Sequence, residues 1–215
     1  MRWFALWLLA GLAALPALAA LADGERAGAF DYYVLSLSWS PNWCATEGDA
    51  RRSDQCHPRH HHGWMLHGLW PQYDRGWPSY CDTAQAPPSP AVTAGMADIM
   101  GSAGLARYQW KKHGSCSGLA AETYFALARR AYAAVNRPAV LRQLQRAVKL
   151  PASVVELAFL QANPGWTRDM LSVTCNAGYI HEARLCLSRD LTPVPCGRDV
   201  IADCALKDAM FAPVR

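Results

Sequence analysis

Two segments place a histidine beside a glycine and within three residues of a tryptophan: Trp64-Met65-Leu66-His67-Gly68-Leu69-Trp70-Pro71 and Tyr108-Gln109-Trp110-Lys111-Lys112-His113-Gly114-Ser115-Cys116. Imidazole titrates near neutrality, so two of them can divide proton removal and proton donation within one reaction. A flanking glycine lets the backbone approach a ligand closely. A solitary buried histidine more often satisfies a core hydrogen bond, but two in matching surroundings favour a paired acid–base site. Cys116 opens a rival reading, a thiol nucleophile with His113 as its base.

The elements that must hold these side chains follow from periodicity. From Phe30 to Ser40, Tyr33, Leu35, Leu37 and Trp39 alternate with Val34, Ser36 and Ser38, which predicts a strand with one buried face. Gly63 to Leu69 has similar character. Asn42 to His62 is polar and aperiodic and reads as a loop that Cys44 and Cys56 can tie off. Ser89-Pro90 is a helix start, with Ser as cap and Pro in the first turn. Gly118 to Val135 is the clearest helix: Tyr124, Leu127, Ala128, Ala131 and Val135 share a face, and Pro138 stops it. Ser153 and Glu156 have capping-box spacing before a short helix ended by Asn163-Pro164-Gly165. Met170 to Cys175 and Tyr179 to Leu187 read as strands joined by the turn Asn176-Ala177-Gly178. Strands at both ends with helices between predict an α+β fold.

Composition bounds the function. The 215 residues are 52% hydrophobic and 18% charged with nine tryptophans, which excludes a disordered chain. A net charge of only +4 excludes a polybasic binder working by bulk electrostatics, yet allows an anionic substrate held by a few placed groups. Met1-Arg2, the apolar run from Trp3 to Leu15, Pro16 and two small-x-small spacings predict a signal peptide over residues 1–22, cleaved near 19 or 22. A retained anchor is the alternative. Residues 23–215 then form one domain carrying eight cysteines, an even set that predicts four disulfides and a secreted or periplasmic location. No later long apolar run is present, so no membrane contact is expected after cleavage, and a monomer is expected. His57, His60, His61 and His62 with Asp54 offer metal-ligand types, but their spacing is irregular and a solvated or substrate-facing loop is preferred. Arg51, Arg52 and Arg59 would add phosphate contacts if that loop faced the cleft.

At His67-Gly68-Leu69-Trp70-Pro71 and Lys112-His113-Gly114-Ser115-Cys116 the chain resembles the ribonuclease T2 family, whose two active-site signatures these segments match in order and separation. The early strand, Cys175-Asn176 and the cysteine-rich tail extend the likeness over the mature chain. The resemblance implies a central antiparallel sheet with helices packed on it, braced by the pairs Cys44–Cys56, Cys81–Cys116, Cys175–Cys204 and Cys186–Cys196. From sequence alone eight cysteines allow about 105 pairings. It further implies cleavage of single-stranded RNA without a metal or other cofactor. His113 would remove the 2′-OH proton, His67 would protonate the departing 5′-oxygen, and a 2′,3′-cyclic phosphate would precede the 3′-phosphate. Lys112 would stabilise the phosphorane and favour a neutral His113. Trp70 would stack a base or ribose, while Trp39, Trp64 and Trp110 read as core, and His181 as structural. Where the family often reads His-Glu-Trp, this chain has Tyr108-Gln109-Trp110. Gln109 and Tyr108 can bond a phosphoryl oxygen but supply neither an acid nor a cation. That departure motivates a second reading, a catalytically weakened secreted protein that binds RNA or metal.

Overall fold

Alternation builds the first strand. In the computed structural model, which describes residues 25–215, β1 (Tyr32–Trp39) turns Tyr33, Leu35, Leu37 and Trp39 into the main core and Tyr32 and Val34 to the opposite face. The expected signal segment, residues 1–22, lies outside the described residues. After β1 come α1 (Ser40–Trp43), β2 (Trp64–Gln72), α2 (Pro90–Ala94), α3 (Ala97–Met100), α4 (Ala103–Lys112) and α5 (Ala121–Ala134). The second half holds α6 (Ala139–Arg142), β3 (Val148–Leu150), α7 (Ala152–Ala162), β4 (Leu171–Asn176), β5 (Tyr179–Leu187) and β6 (Ala209–Phe211).

These strands form one sheet in the order β2-β1-β5-β6-β3, with β4 also paired to β5. The fold is α+β, as expected. Every pairing is antiparallel except a short parallel contact of Tyr179 with Met210 between β5 and β6, so the sheet is mixed. Helix α5 packs its apolar face on the sheet and is pinned there by two phenols. Tyr124 donates to the Leu69 carbonyl at 2.7 Å and Tyr132 to the Trp64 carbonyl at 2.8 Å. Trp39, Trp64 and Trp110 are buried in this core, each 4% exposed or less. The four disulfides are the pairs the resemblance implies.

Two irregularities in the sheet shape its open face. Between β1 and β2 the register passes from Ser36–Gly68 to Leu37–Leu66, leaving His67 as an extra residue. Between β4 and β5 it passes from Thr174–Glu182 to Cys175–Ile180, leaving His181 as the extra residue. A bulge lets core positions be spaced by three: Leu66 and Leu69, and likewise Ile180 and Ala183, all enter the main core. Each bulged histidine is thereby turned away from that core.

Several expectations are corrected. Residues 42–62 are not simply loop: α1 starts with Pro41 in its first turn, a wider helical turn follows from Cys44 to Gly48, and tight turns span Asp54–Cys56 and Pro58–His60. Asn42 anchors the segment, donating to the carbonyls of Ile180 at 2.7 Å and Met210 at 3.1 Å and accepting from Ala212 N–H at 2.8 Å. Helix α7 begins after Pro151, so Ser153 lies inside it and no capping box forms. Glu156 is buried and meets Arg168 at 3.4 Å instead. Among the described residues no helix is long and apolar enough to cross a membrane.

Candidate active site

Helix α4 and strand β2 bring the two histidine segments together. Ser102 caps α4 by accepting from Leu105 N–H at 3.0 Å, and His113 ends it, its N–H donating to the Gln109 carbonyl at 2.9 Å. Gln109 and His113, like Tyr108 and Lys112, are four residues apart and share one side of the helix end. That end borders a cleft of about 350 Å³ whose lining includes His67, Trp70, Tyr108, Gln109, Lys112 and His113. All six residues singled out in the sequence therefore meet at one place. Lys111 is exposed and does not line the cleft.

Trp70 stands between the imidazoles. Its ring centre is 5.3 Å from that of His67, edge to face at 79°, and 5.1 Å from that of His113, nearly parallel at 27°. Its indole N–H donates to Gln109 Oε1 at 2.7 Å, which leaves the Gln109 amide nitrogen free to donate. Gly68 makes this possible, because a Cβ there would collide with both Trp70 Nε1 and Gln109 Oε1. One face of Trp70 is thus taken by His113, and the Arg184 guanidinium lies 5.5 Å from its ring centre. The more exposed Trp77 and Tyr108, 52% and 47% accessible, offer freer aromatic faces on the same cleft.

The two imidazoles have opposite surroundings. His113 is 6% exposed, and its Nδ1 is buried without a partner among the described residues. Burial, then the charge of Lys112, then that of His67, push its pKa down to about 3, so it is a neutral base. His67 is side-chain accessible at 30% and its Nδ1 meets the buried carboxylate of Glu182. The other oxygen of Glu182 accepts from Arg184 Nε at 2.9 Å and Nη2 at 2.8 Å. Burial pushes the Glu182 carboxyl up, but the His67 hydrogen bond and the charges of His67 and Arg184 outweigh it and hold it well below the carboxylate range. Glu182 is therefore ionised and His67 Nδ1 carries the proton, which turns Nε2 away from it.

Glu182 and Arg184 were not singled out by sequence. The visible signal was two charged residues at alternate positions, hence on one face, of an otherwise apolar strand. The thiol-nucleophile reading is overturned: Cys116 is fully buried and bridged to Cys81, so it has no thiolate to offer. The histidine-rich segment does not line that cleft. Asp54 pairs with Arg59 and with His60, and His60 stacks on His62 at 4.9 Å. Arg51 pairs with Glu47 at 2.7 Å and borders a second cleft.

This fold, a mixed sheet with helices packed on it, is shared with solved structures. The RNase-related protein from Calystegia sepium superposes with a TM-score of 0.67 at 20% identity, covering 86% of this chain and 98% of that one. RNase NT in complex with 5′-AMP gives 0.65 at 20% identity with the same coverage. The model of the Ribonuclease T2 family matches residues 30–196, and the chain belongs to that family. Among curated proteins, a ribonuclease of Aeromonas hydrophila is 47% identical over 107 residues, 50% of this chain and 46% of that protein. Ribonuclease I of Escherichia coli (strain K12) is 28% identical over 142 residues, 48% of this chain and 53% of that protein. The chain spans about half the length of these curated relatives.

Proposed function

We propose that this chain is a secreted or periplasmic endoribonuclease, one domain over residues 23–215, acting on single-stranded RNA without a metal or other cofactor. The observation that carries this reading is the asymmetry of the two imidazoles around Trp70: His113 buried and neutral beside Lys112, His67 bound to an ionised carboxylate.

In the reaction, neutral His113 takes the proton of the ribose 2′-OH and the freed oxygen attacks the adjacent phosphorus. The anionic diester entering beside His113 offsets part of the burial and lysine effects that disfavour its protonated form. Lys112 and the free Gln109 amide face the phosphoryl oxygens as negative charge develops there. His67, with Glu182 compensating its charge, protonates the departing 5′-oxygen. The 2′,3′-cyclic phosphate is then hydrolysed with the roles reversed, leaving a 3′-phosphate. Trp70 spaces the imidazoles, and Trp77 and Tyr108 provide stacking faces for bases.

Four disulfides fit an oxidising compartment. The test is incubation of the oxidised protein with RNA and EDTA followed by analysis of product ends. Cyclic phosphates and 3′-phosphates are expected. RNA bound but uncut supports instead the weakened RNA-binding protein that Gln109 and Tyr108 suggest, and cutting only after metal is restored contradicts the metal-free route.

A further inference from the structure

A second cleft, about 660 Å³, lies on the other side of His67, bordered by Trp43, Arg51, Ser53, Gln55 and Leu105. Only His67, Tyr108 and His181 border both clefts among the described residues. A polymer with one nucleotide in each cleft carries its connecting phosphodiester across these three side chains. His67 and Tyr108 already have places in the proposed reaction; His181 does not.

The position of His181 is built. It is the extra residue of the β5 bulge, as His67 is of the β2 bulge, and the two bulged strands flank β1 on either side. The ring is half-buried, and none of its nitrogens has a hydrogen-bond partner among the described residues, although the charges of Glu182, His67, Arg184 and Glu47 all act on it. Burial and the charges of His67 and Arg184 outweigh the two carboxylates and keep its pKa below the usual histidine range. A neutral imidazole has one N–H donor and one acceptor to offer a ligand.

We infer that His181 is a substrate-contacting residue whose ring N–H donates a hydrogen bond to the RNA phosphodiester where the strand crosses between the two clefts. It holds the strand and transfers no proton. This rests on the RNA-cleaving reading, so its test uses a ligand that binds without being cut: a dinucleoside monophosphate whose attacking ribose is 2′-deoxy.

Affinity is measured for wild type, His181→Ala and His181→Asn over a range of salt concentrations, alongside kcat and KM on the ribose form. Removing a hydrogen bond to a charged group weakens binding by about tenfold or more, so His181→Ala loses that much while His181→Asn, which keeps a donor, stays within about threefold. The loss in kcat/KM falls on KM. The salt dependence keeps its slope, because no cation has been removed. Unchanged affinity in His181→Ala overturns the inference, as does a collapse of kcat at constant KM or a shallower salt slope. A wild type that binds but does not cut contradicts the proposed function alone, and one that binds nothing overturns both.

Discussion

Nδ1 of His67 on β2 is hydrogen-bonded to the carboxylate of Glu182 on β5, a partner 115 positions away that the sheet buries to 1% exposure. The bond orients the ring and leaves Nε2 unpaired with Glu182, the nitrogen that the proposed reaction turns to the substrate. Glu182→Gln keeps the shape but removes the negative charge, so kcat is expected to fall by about 10²-fold with little change in KM. A loss under threefold would contradict the positioning role. Because the folded carboxyl is held below its ordinary value of 4.5, Glu182 contributes stability that is present above that pH and lost on acidification. Denaturant midpoints against pH should therefore be flatter in the variant.

His113 imposes a pH dependence of the same sign for a different reason. Above its ordinary value of 6.5 it is neutral in both folded and unfolded chains. Below that, the unfolded chain takes up a proton that the buried ring refuses until about pH 3, so stability falls on acidification. From pH 6.5 to 4 the loss from this residue is on the order of 3 kcal/mol. Urea midpoints at pH 7 and pH 4 should converge in His113→Asn compared with wild type. Equal losses in both proteins would contradict the burial argument.

Lys112 is the second cause, after burial, of the low pKa of His113. Lys112→Met removes that charge, so the acidic limb of kcat/KM, which reports the free base, moves to higher pH. The same variant loses phosphorane stabilisation and should drop in kcat by about 10²-fold. A pH–rate profile is the measurement, and an acidic limb that stays put or moves lower contradicts the coupling.

The Cys81–Cys116 bridge ties the segment after β2 to the turn that follows His113, whose carbonyl accepts from Cys116 N–H at 3.0 Å. Replacing both cysteines by alanine should cost about 2–4 kcal/mol in stability and lower kcat as His113 loses its anchor. Replacing the Cys186–Cys196 pair should cost stability while sparing kcat. Equal effects of the two pairs on kcat would contradict the placement.

The strands and the helix that carry the core were legible because their apolar residues keep a strict period: Tyr33 to Trp39 by two, Tyr124 to Ala131 by three and four. Helix α4, which positions half of the site, was not. It buries only Ala106, Gln109 and Trp110, so its inward face has too few apolar residues to register. The bulges were visible only as the odd spacing of Leu66 and Leu69. The partnership of His67 with Glu182 depends on which strands pair, information that no local pattern holds. Strands β3 and β6, three residues each, are too short to show a period. The two histidines, Lys112 and Trp70 were found because short motifs fixed their types, whereas the place of the Trp70 indole between the two imidazoles appeared only once the sheet was formed.

The proposed division of labour between His113 and His67 is tested most directly by changing the leaving group. A dinucleoside monophosphate needs its departing alkoxide protonated, whereas a nucleoside 3′-(4-nitrophenyl phosphate) releases a phenolate that does not. His67→Ala should lose about 10²–10⁴-fold in kcat on the dinucleotide and recover to within about tenfold of wild type on the aryl ester. His113→Ala should remain impaired on both, since either substrate requires the 2′-OH to be deprotonated. Equal recovery of both variants, or recovery of His113→Ala alone, would contradict the assignment of base and acid.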